Sequence, residues 1–188
     1  MEDRRIRKTK KAFYNALIEL LRENEIRNIG IQELCDLADS HRSTFYYHYS
    51  DIYELYDEME SKILDDFSSV VSASESHSYY GVYDNIISHL HDNRDVWIVL
   101  LGSNGNRNFK DKVSDILEKK YLEIWKYETG KKSFSGGFHI ITRASISAFI
   151  TLFTEWLNDA VAEEGTDQIK TMLADMDAAF DTLLEKYI

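Results

Sequence analysis

The 188-residue chain contains no proline, one cysteine and eight glycines. At ordinary usage roughly nine prolines would be expected. Proline breaks helix interiors and marks sheet edges and many turns. Its absence, with so little glycine, argues against a turn-rich sandwich or barrel and against a collagen-like or low-complexity chain. Long helices are the simplest reading. The lone Cys35 excludes an intramolecular disulfide and any C-x-x-C redox or zinc pair. No apolar run approaches the roughly 18 residues of a membrane span, and no apolar stretch of the signal-peptide kind follows the basic start. A cytoplasmic protein without a membrane partner is expected.

What is present is charge, unevenly placed. The net charge is −11. Residues 1–50 hold nine Lys/Arg against eight Asp/Glu, a balance of +1. Residues 51–188 hold 13 against 25, a balance of −12. Six of the nine early cations lie between Arg4 and Lys11. Such asymmetry points to a nucleic-acid or membrane contact, or simply to a solvated helix end. Cations at a helix start oppose the macrodipole, which favours an anionic partner for them.

Apolar spacing predicts about nine helices and an all-α fold. The first runs from Arg4 to Arg22, with Ile6, Phe13, Ala16, Leu17, Leu20 and Leu21 on one face. A short helix follows at Ile31–Ala38, with Ile31, Leu34, Leu37 and Ala38 inward. Asp39-Ser40-His41 is a three-residue turn, and a second short helix starts at Arg42. Ser50 or Asp51 caps a long helix to about Val70, whose seam is Ile52, Leu55, Tyr56, Met59, Ile63, Phe67 and Val70. Ser68–Ser78 reads as a helix end and loop. Helices are expected at Tyr79–Asn93, Asp95–Leu101, Phe109–Tyr127, Phe138–Val161 and Thr166–Tyr187. The Phe138–Val161 helix is apolar around most of its circumference, so burial on more than one side is expected.

Two short helices joined by a three-residue turn form a helix-turn-helix plan. The second helix of such a pair enters the major groove with its first residues toward the base edges. Cys35 and Ala38 are small where the helices meet, and Phe45 anchors the second one. Arg42, Ser43, Thr44, Tyr47 and His48 are then outward. Arg reads guanine edges or phosphates, hydroxyls bond either, and Tyr46 and Tyr47 reach phosphates. Lys8, Gln32 and His41 complete the candidate DNA-contacting set.

The segment Ile31–Leu55, IQELCDLADSHRSTFYYHYSDIYEL, resembles the DNA-binding signature of the TetR/AcrR family of bacterial transcription regulators. Arg42-Ser43-Thr44-Phe45-Tyr46-Tyr47-His48-Tyr49 carries the strongest match. The resemblance implies a helix-turn-helix domain over 1–50, linked through helix 51–70 to a helical effector-binding and dimerisation domain over 51–188. It implies a homodimer through 138–161 and 166–187, double-stranded operator DNA as partner, and an unknown small-molecule effector. Three positions depart from the family's pattern. Asp39 stands where glycine is usual, Gly30 where a capping threonine touches phosphate, and Ile52 where a lysine meets the backbone.

The expected function is a repressor released from its operator by the effector. The alternative is a dimeric interaction protein or co-activator acting through a protein partner. No enzyme is expected, because no catalytic motif occurs, and neither is a cofactor or metal. His89-x-His91 points to two sides of a helix and reads as surface histidines. Trp97, Tyr121, Trp125, His139 and Arg143 are candidate ligand contacts, although aromatic residues at helical spacing are more often core. Arg143 has three readings: an anionic effector, an acid of its own subunit, or an acid across the dimer.

Overall fold

The computed structural model describes residues 4–73, 79–102, 104–105, 108–158 and 166–188. Among them are nine α-helices and no strand: α1 (Arg4–Glu23), α2 (Ile31–Leu37), α3 (Arg42–His48), α4 (Ile52–Ala73), α5 (Tyr79–Asp92), α6 (Arg94–Leu101), α7 (Phe109–Thr129), α8 (Gly136–Asn158) and α9 (Thr166–Leu184). Short 3₁₀ turns occupy Ile26–Asn28 and Glu185–Tyr187. The all-α expectation is met. The helices divide between two compact units, one of Met1–Ile63 with Asp95–Phe109, the other of Leu64–Arg94 with Lys110–Ile188.

In the first unit α1 buries Phe13, Ala16, Leu17 and Leu21. Its end is closed by side chains, as orphan carbonyls require. The Asn24 amide donates to Leu20 O at 3.2 Å, and the Asn104 amide donates to Leu21 O at 3.0 Å. Arg22 pairs with Asp95 at 2.5 Å. α4 begins at Asp51, whose Oδ1 accepts from the backbone of Tyr53 and Glu54 at 2.8 and 2.9 Å. Glu54 Oε2 reaches back to the Ser50 backbone N–H at 2.6 Å. Asp51 thus caps α4, while Glu54 reaches one residue further back than in a standard capping box.

In the second unit α9 packs on α8 and α5. α8 buries Phe138, Ile146, Phe149, Ile150, Phe153, Trp156 and Leu157 on one side. Ser135 Oγ caps it, accepting from Phe138 N at 3.2 Å and donating to Tyr187 O at 2.7 Å. A Cβ at Gly137 would stand 2.5 Å from the Tyr187 ring, so a side chain there would push that ring aside. Arg94 closes the other end of α8, its guanidinium donating to Leu157 O at 2.7 and 2.9 Å.

Several expectations are corrected. Leu37 is not inward; it is 44% exposed at the last position of α2. The α4 seam ends on buried Val71, with Val70 half-buried. Residues 68–73 are helical rather than loop; 74–78, including His77, lie outside the described residues. His89 is buried and packs on Phe67, ring centres 5.8 Å apart. Burial lowers its pKa, against the attraction of Asp66 and Asp92. α8 is, by length and composition, apolar enough to cross a membrane. Its two faces explain why it need not: one face fills the core of the second unit, and the other carries exposed Arg143, Ser147, Thr151 and Glu155. It is thus buried on one side, not all round. Residues 159–161 lie outside the described residues.

Candidate nucleic-acid interface

The turn between α2 and α3 sets the geometry. Asp39 has φ 47°, the only positive φ among described non-glycine residues. Ser40 N–H donates to Cys35 O at 2.9 Å and Asp39 N–H to Asp36 O at 3.3 Å. These two bonds make a Schellman motif, which needs a left-handed residue where glycine is commonest. Aspartate tolerates that region better than most residues, so Asp39 replaces glycine without losing the turn. Cys35 and Ala38 are buried where the helices meet.

α3 then starts at Arg42, with extended His41 before it. Phe45 is fully buried and meets Phe13 edge-on at 5.4 Å between ring centres. That contact fixes which face of α3 turns outward. Arg42, Ser43, Tyr46 and Tyr47 are exposed, and Thr44 and His48 half-buried. Tyr47 is the most open, at 77%. Arg42 lies over the Tyr46 ring, 5.8 Å from its centre, and reaches its hydroxyl at 3.4 Å. The Tyr47 and His48 rings meet at 5.0 Å. The helix therefore presents a cation, two phenols and small hydroxyls on one exposed stretch. These groups suit base edges and phosphates.

Lys8, Gln32 and His41 are exposed too. The Gln32 amide is engaged, donating to Asp36 Oδ1 at 2.7 Å. The two departures from the family pattern have different structural reasons. Gly30 precedes α2 with no side-chain cap and with open space where a Cβ would stand. Ile52 is buried, so its position serves the core of the first unit.

Missed in the sequence is Glu58 on α4. Both its oxygens accept from Lys10 Nζ, at 2.9 and 3.0 Å, and Oε1 also accepts from the Tyr14 hydroxyl. Burial works against its ionisation, but Tyr14, Lys10 and Tyr49 together outweigh that and hold the carboxyl below its ordinary range.

A groove of about 880 Å³ also lies on the first unit. Its walls carry Glu19 and Glu23 of α1 and Glu33 and Asp36 of α2, with Leu20 and Leu37 between them. Among the described residues no Lys or Arg lines it. Such a surface repels phosphate.

The candidate ligand residues are divided between the two units. Trp97 is buried in the first unit, 5.4 Å from Phe109. In the second unit, Trp125 meets Phe138 edge-on at 5.5 Å. His139 and Arg143 are on the surface with α7 acids: His139–Glu118 at 3.5 Å, Arg143–Glu118 at 3.5 Å and Arg143–Asp115 at 3.7 Å. Of the three readings for Arg143, acids of its own subunit are the ones it meets. Tyr121 lines a cavity of about 30 Å³ with Tyr83, Lys120 and Phe149. That is room for about one water, far below the roughly 300–1,000 Å³ of ordinary ligand sites.

Sequence reasoning also missed Asp177 and Asp181 of α9. Burial, first of all, pushes Asp177 up to about 7, with the Tyr83 hydroxyl opposing and Asp181 adding to the rise. Burial, then Glu128 and Glu185, push Asp181 up to about 6. Among the described residues no group of three metal-ligating side chains converges.

Comparison with known proteins follows the same lines. The TetR_C_8 family, described as a transcriptional regulator C-terminal region, matches residues 77–176. A TetR transcriptional regulator from Streptococcus agalactiae 2603V is 27% identical, covering 91% of this chain and 96% of its own, with a TM-score of 0.62. NalD, the secondary repressor of the MexAB-OprM multidrug efflux pump in Pseudomonas aeruginosa, is 19% identical over 94% of this chain and 97% of its own, TM-score 0.63. DhaS, a dihydroxyacetone kinase operon activator, is 14% identical over 95% and 97%, TM-score 0.56. No curated protein matches the sequence.

Proposed function

The chain belongs to the TetR family of transcriptional regulators, and from that premise we propose that it is a cytoplasmic, homodimeric repressor of a palindromic operator. The observation that carries this reading is the α2–α3 pair. A left-handed Asp39 and a buried Phe45 leave Arg42, Ser43, Tyr46 and Tyr47 on an exposed helix face. In this reading residues 1–50 contact double-stranded DNA through Lys8, Gln32, His41, Arg42, Ser43, Thr44, Tyr46, Tyr47 and His48. Residues 51–188 hold the effector and the dimer contact. The two recognition helices of a dimer fall about 34–36 Å apart, one helical turn.

The dimer contact is assigned to 138–161 and 166–187. Support comes from apolar side chains left exposed there, Ile140 on α8 and Met172, Leu183 and Tyr187 at or after α9. A bound dimer excludes polymerase. A small-molecule effector releases it by binding more tightly to a state whose recognition helices no longer match the half-sites. The 30 Å³ cavity beside Tyr121 is too small for such a ligand, so an effector bound there would have to open it.

The test is fluorescence anisotropy with the gene's own upstream DNA. Operator binding should be sequence-specific and fall steeply with salt. Equal affinity for scrambled DNA would sink the reading. Arg42→Ala should weaken operator binding about 5- to 100-fold, the cost of one bidentate base contact; unchanged affinity would remove Arg42 from the interface.

A second reading, docking on a protein partner to activate transcription, is favoured by the acidic groove with exposed Leu37 and by the uncapped Gly30. A partner recovered by pull-down, with no operator shift, would select it.

A further inference from the structure

We propose that Glu58 is a specificity-determining positioning residue: it withholds Lys10 from the DNA backbone and ties the end of the recognition helix to α4. The inference rests on the DNA-binding reading above and concerns which of the α1 cations take part.

The six cations between Arg4 and Lys11 are not equivalent. Arg7, Lys8 and Lys11 are exposed. Lys10 is not free to meet a phosphate. Its ammonium sits between the two Glu58 oxygens at 2.9 and 3.0 Å, half-buried, and lies 5.4 Å from the centre of the Tyr49 ring. Charge-assisted hydrogen bonds to a carboxylate are among the strong ones. A lysine neutralised in this way releases no counterion from DNA.

Glu58 does more than hold Lys10. It accepts from the Tyr14 hydroxyl of α1, and the Lys10 ammonium that it holds lies over the Tyr49 ring. Tyr49 is the residue that ends α3, its N–H donating to Phe45 O at 2.9 Å. One carboxylate on α4 thus joins α1 to the end of the recognition helix. All of these groups belong to the first unit.

The consequence for recognition follows from how the two kinds of contact differ. Phosphate contacts add affinity for any sequence, while base contacts discriminate. Withholding one cation lowers the sequence-independent part. Holding Tyr49 keeps α3 at one angle, so that its base contacts count. The first effect weakens operator and random binding by the same factor, so the rise in their ratio comes from the hold on Tyr49.

The test uses the intact protein with two duplexes of equal length, the upstream operator and its scrambled version. Affinity is measured by anisotropy between 50 and 200 mM salt, conditions over which phosphate contacts dominate the change. In Glu58→Gln the amide oxygen still accepts from Tyr14, but Lys10 is released. Binding to scrambled DNA should tighten several-fold at low salt. The slope of log affinity against log salt should steepen by about 0.9, the value of one added contact on B-form DNA. The operator-to-scrambled ratio should fall. Lys10→Met alone should leave the slope unchanged, and in the Glu58→Gln background it should cancel the steepening. The inference is overturned if Glu58→Gln leaves the slope as it was, or if Lys10→Met alone flattens it by about 0.9. Should Glu58→Gln not fold, Lys10→Met decides alone. Absence of any operator preference in the unaltered protein would instead overturn the proposed function, while the slopes on scrambled DNA would still decide the role of Glu58.

Discussion

The two compact units carry their unfavourable terms in different places. In the first unit the cost is in the backbone, at the left-handed Asp39 and the uncapped Gly30. Glu60 is buried there as well, and the half-buried Glu58 is answered by Lys10 and Tyr14. Among the described residues of the second unit the only positive φ is at Gly130, where glycine adopts it freely, but Asp177 is buried and Asp181 half-buried on α9. The groups that act on them are the Tyr83 and Tyr121 hydroxyls and the carboxylates of Glu128 and Glu185. None of these supplies a positive charge. A conformational cost is the same at every pH. A buried carboxylate without a cation makes stability depend on pH. The second unit therefore loses stability as pH rises through the range of Asp177, whereas the cation-paired Glu58 makes the first unit lose it as pH falls.

The largest expected effect tests that contrast at Asp177. Its folded pKa, about 7, lies above the ordinary 3.8. The folded state then binds more protons than the unfolded chain between those values, so stability falls as pH rises through that window. The favourable term is fully present below about pH 4 and lost above about pH 7. Asp177→Asn removes the charge while keeping an acceptor for Tyr83. It should stabilise the second unit by ~2–4 kcal/mol at pH 8, from one pKa unit being worth about 1.4 kcal/mol, and by almost nothing at pH 4. Thermal melts at both pH values check this. Equal destabilisation at both would show that Asp177 has a packing role instead. Glu58 has the opposite sign. Its pKa is lowered from 4.5, so its contribution is present above that value and lost as pH falls below it.

The same contrast governs what was legible in the sequence. The helix-turn-helix is a local device, and its pieces are neighbours in the chain. Small Cys35 and Ala38, turn-forming Asp39 and Ser40, and apolar Phe45 all take the places their residue types predict. Asp177 lies on the periodicity of Ile169 and Leu173, eight and four residues before it, and faces inward with them. The face was legible, but a charged residue on it reads as solvent-facing unless its tertiary neighbours are known. His89 likewise follows Val82 and Ile86 on the buried side of α5. Leu37 fails in the other direction. It keeps the helical spacing from Leu34, but α2 ends there, and the last turn of so short a helix opens onto the acidic groove. Glu58 was hidden for the same reason as Asp177: its partners Lys10 and Tyr14 are more than forty residues away.

A smaller effect is expected at the turn. The left-handed conformation of Asp39 costs a side chain what glycine would not incur. Asp39→Gly should be neutral or stabilising by up to about 1 kcal/mol, since the gain in the fold is offset by the greater freedom of glycine in the unfolded chain. Asp39→Val should destabilise by ~1–3 kcal/mol, because a β-branched residue is strained at positive φ. Neither difference should change between pH 5 and pH 8, apart from a small shared drift, in contrast to Asp177→Asn. A strong pH dependence for Asp39→Gly would mean that the Asp39 carboxylate itself contributes charge interactions to the turn.

The smallest effect on stability is expected at Gly30, where it separates folding from DNA contact. Gly30 has the extended backbone of an N-cap, and nothing lies within 4 Å of an added Cβ. Gly30→Thr therefore adds a hydroxyl able to accept from the first free N–H groups of α2 without a clash. The gain over glycine at such a position is only a few tenths of a kcal/mol, which a melt will scarcely register. Operator affinity is the sensitive readout. A hydroxyl at the start of α2 that also reaches a phosphate should tighten binding to operator and scrambled DNA by the same factor, because phosphate contacts carry no sequence information. Gly30→Ala fills the same space without the hydroxyl and should leave both affinities unchanged. If Gly30→Ala tightens binding as much as Gly30→Thr, the gain comes from a stiffer entry into α2, and the first unit's uncapped helix start is a matter of backbone entropy rather than of a missing phosphate contact.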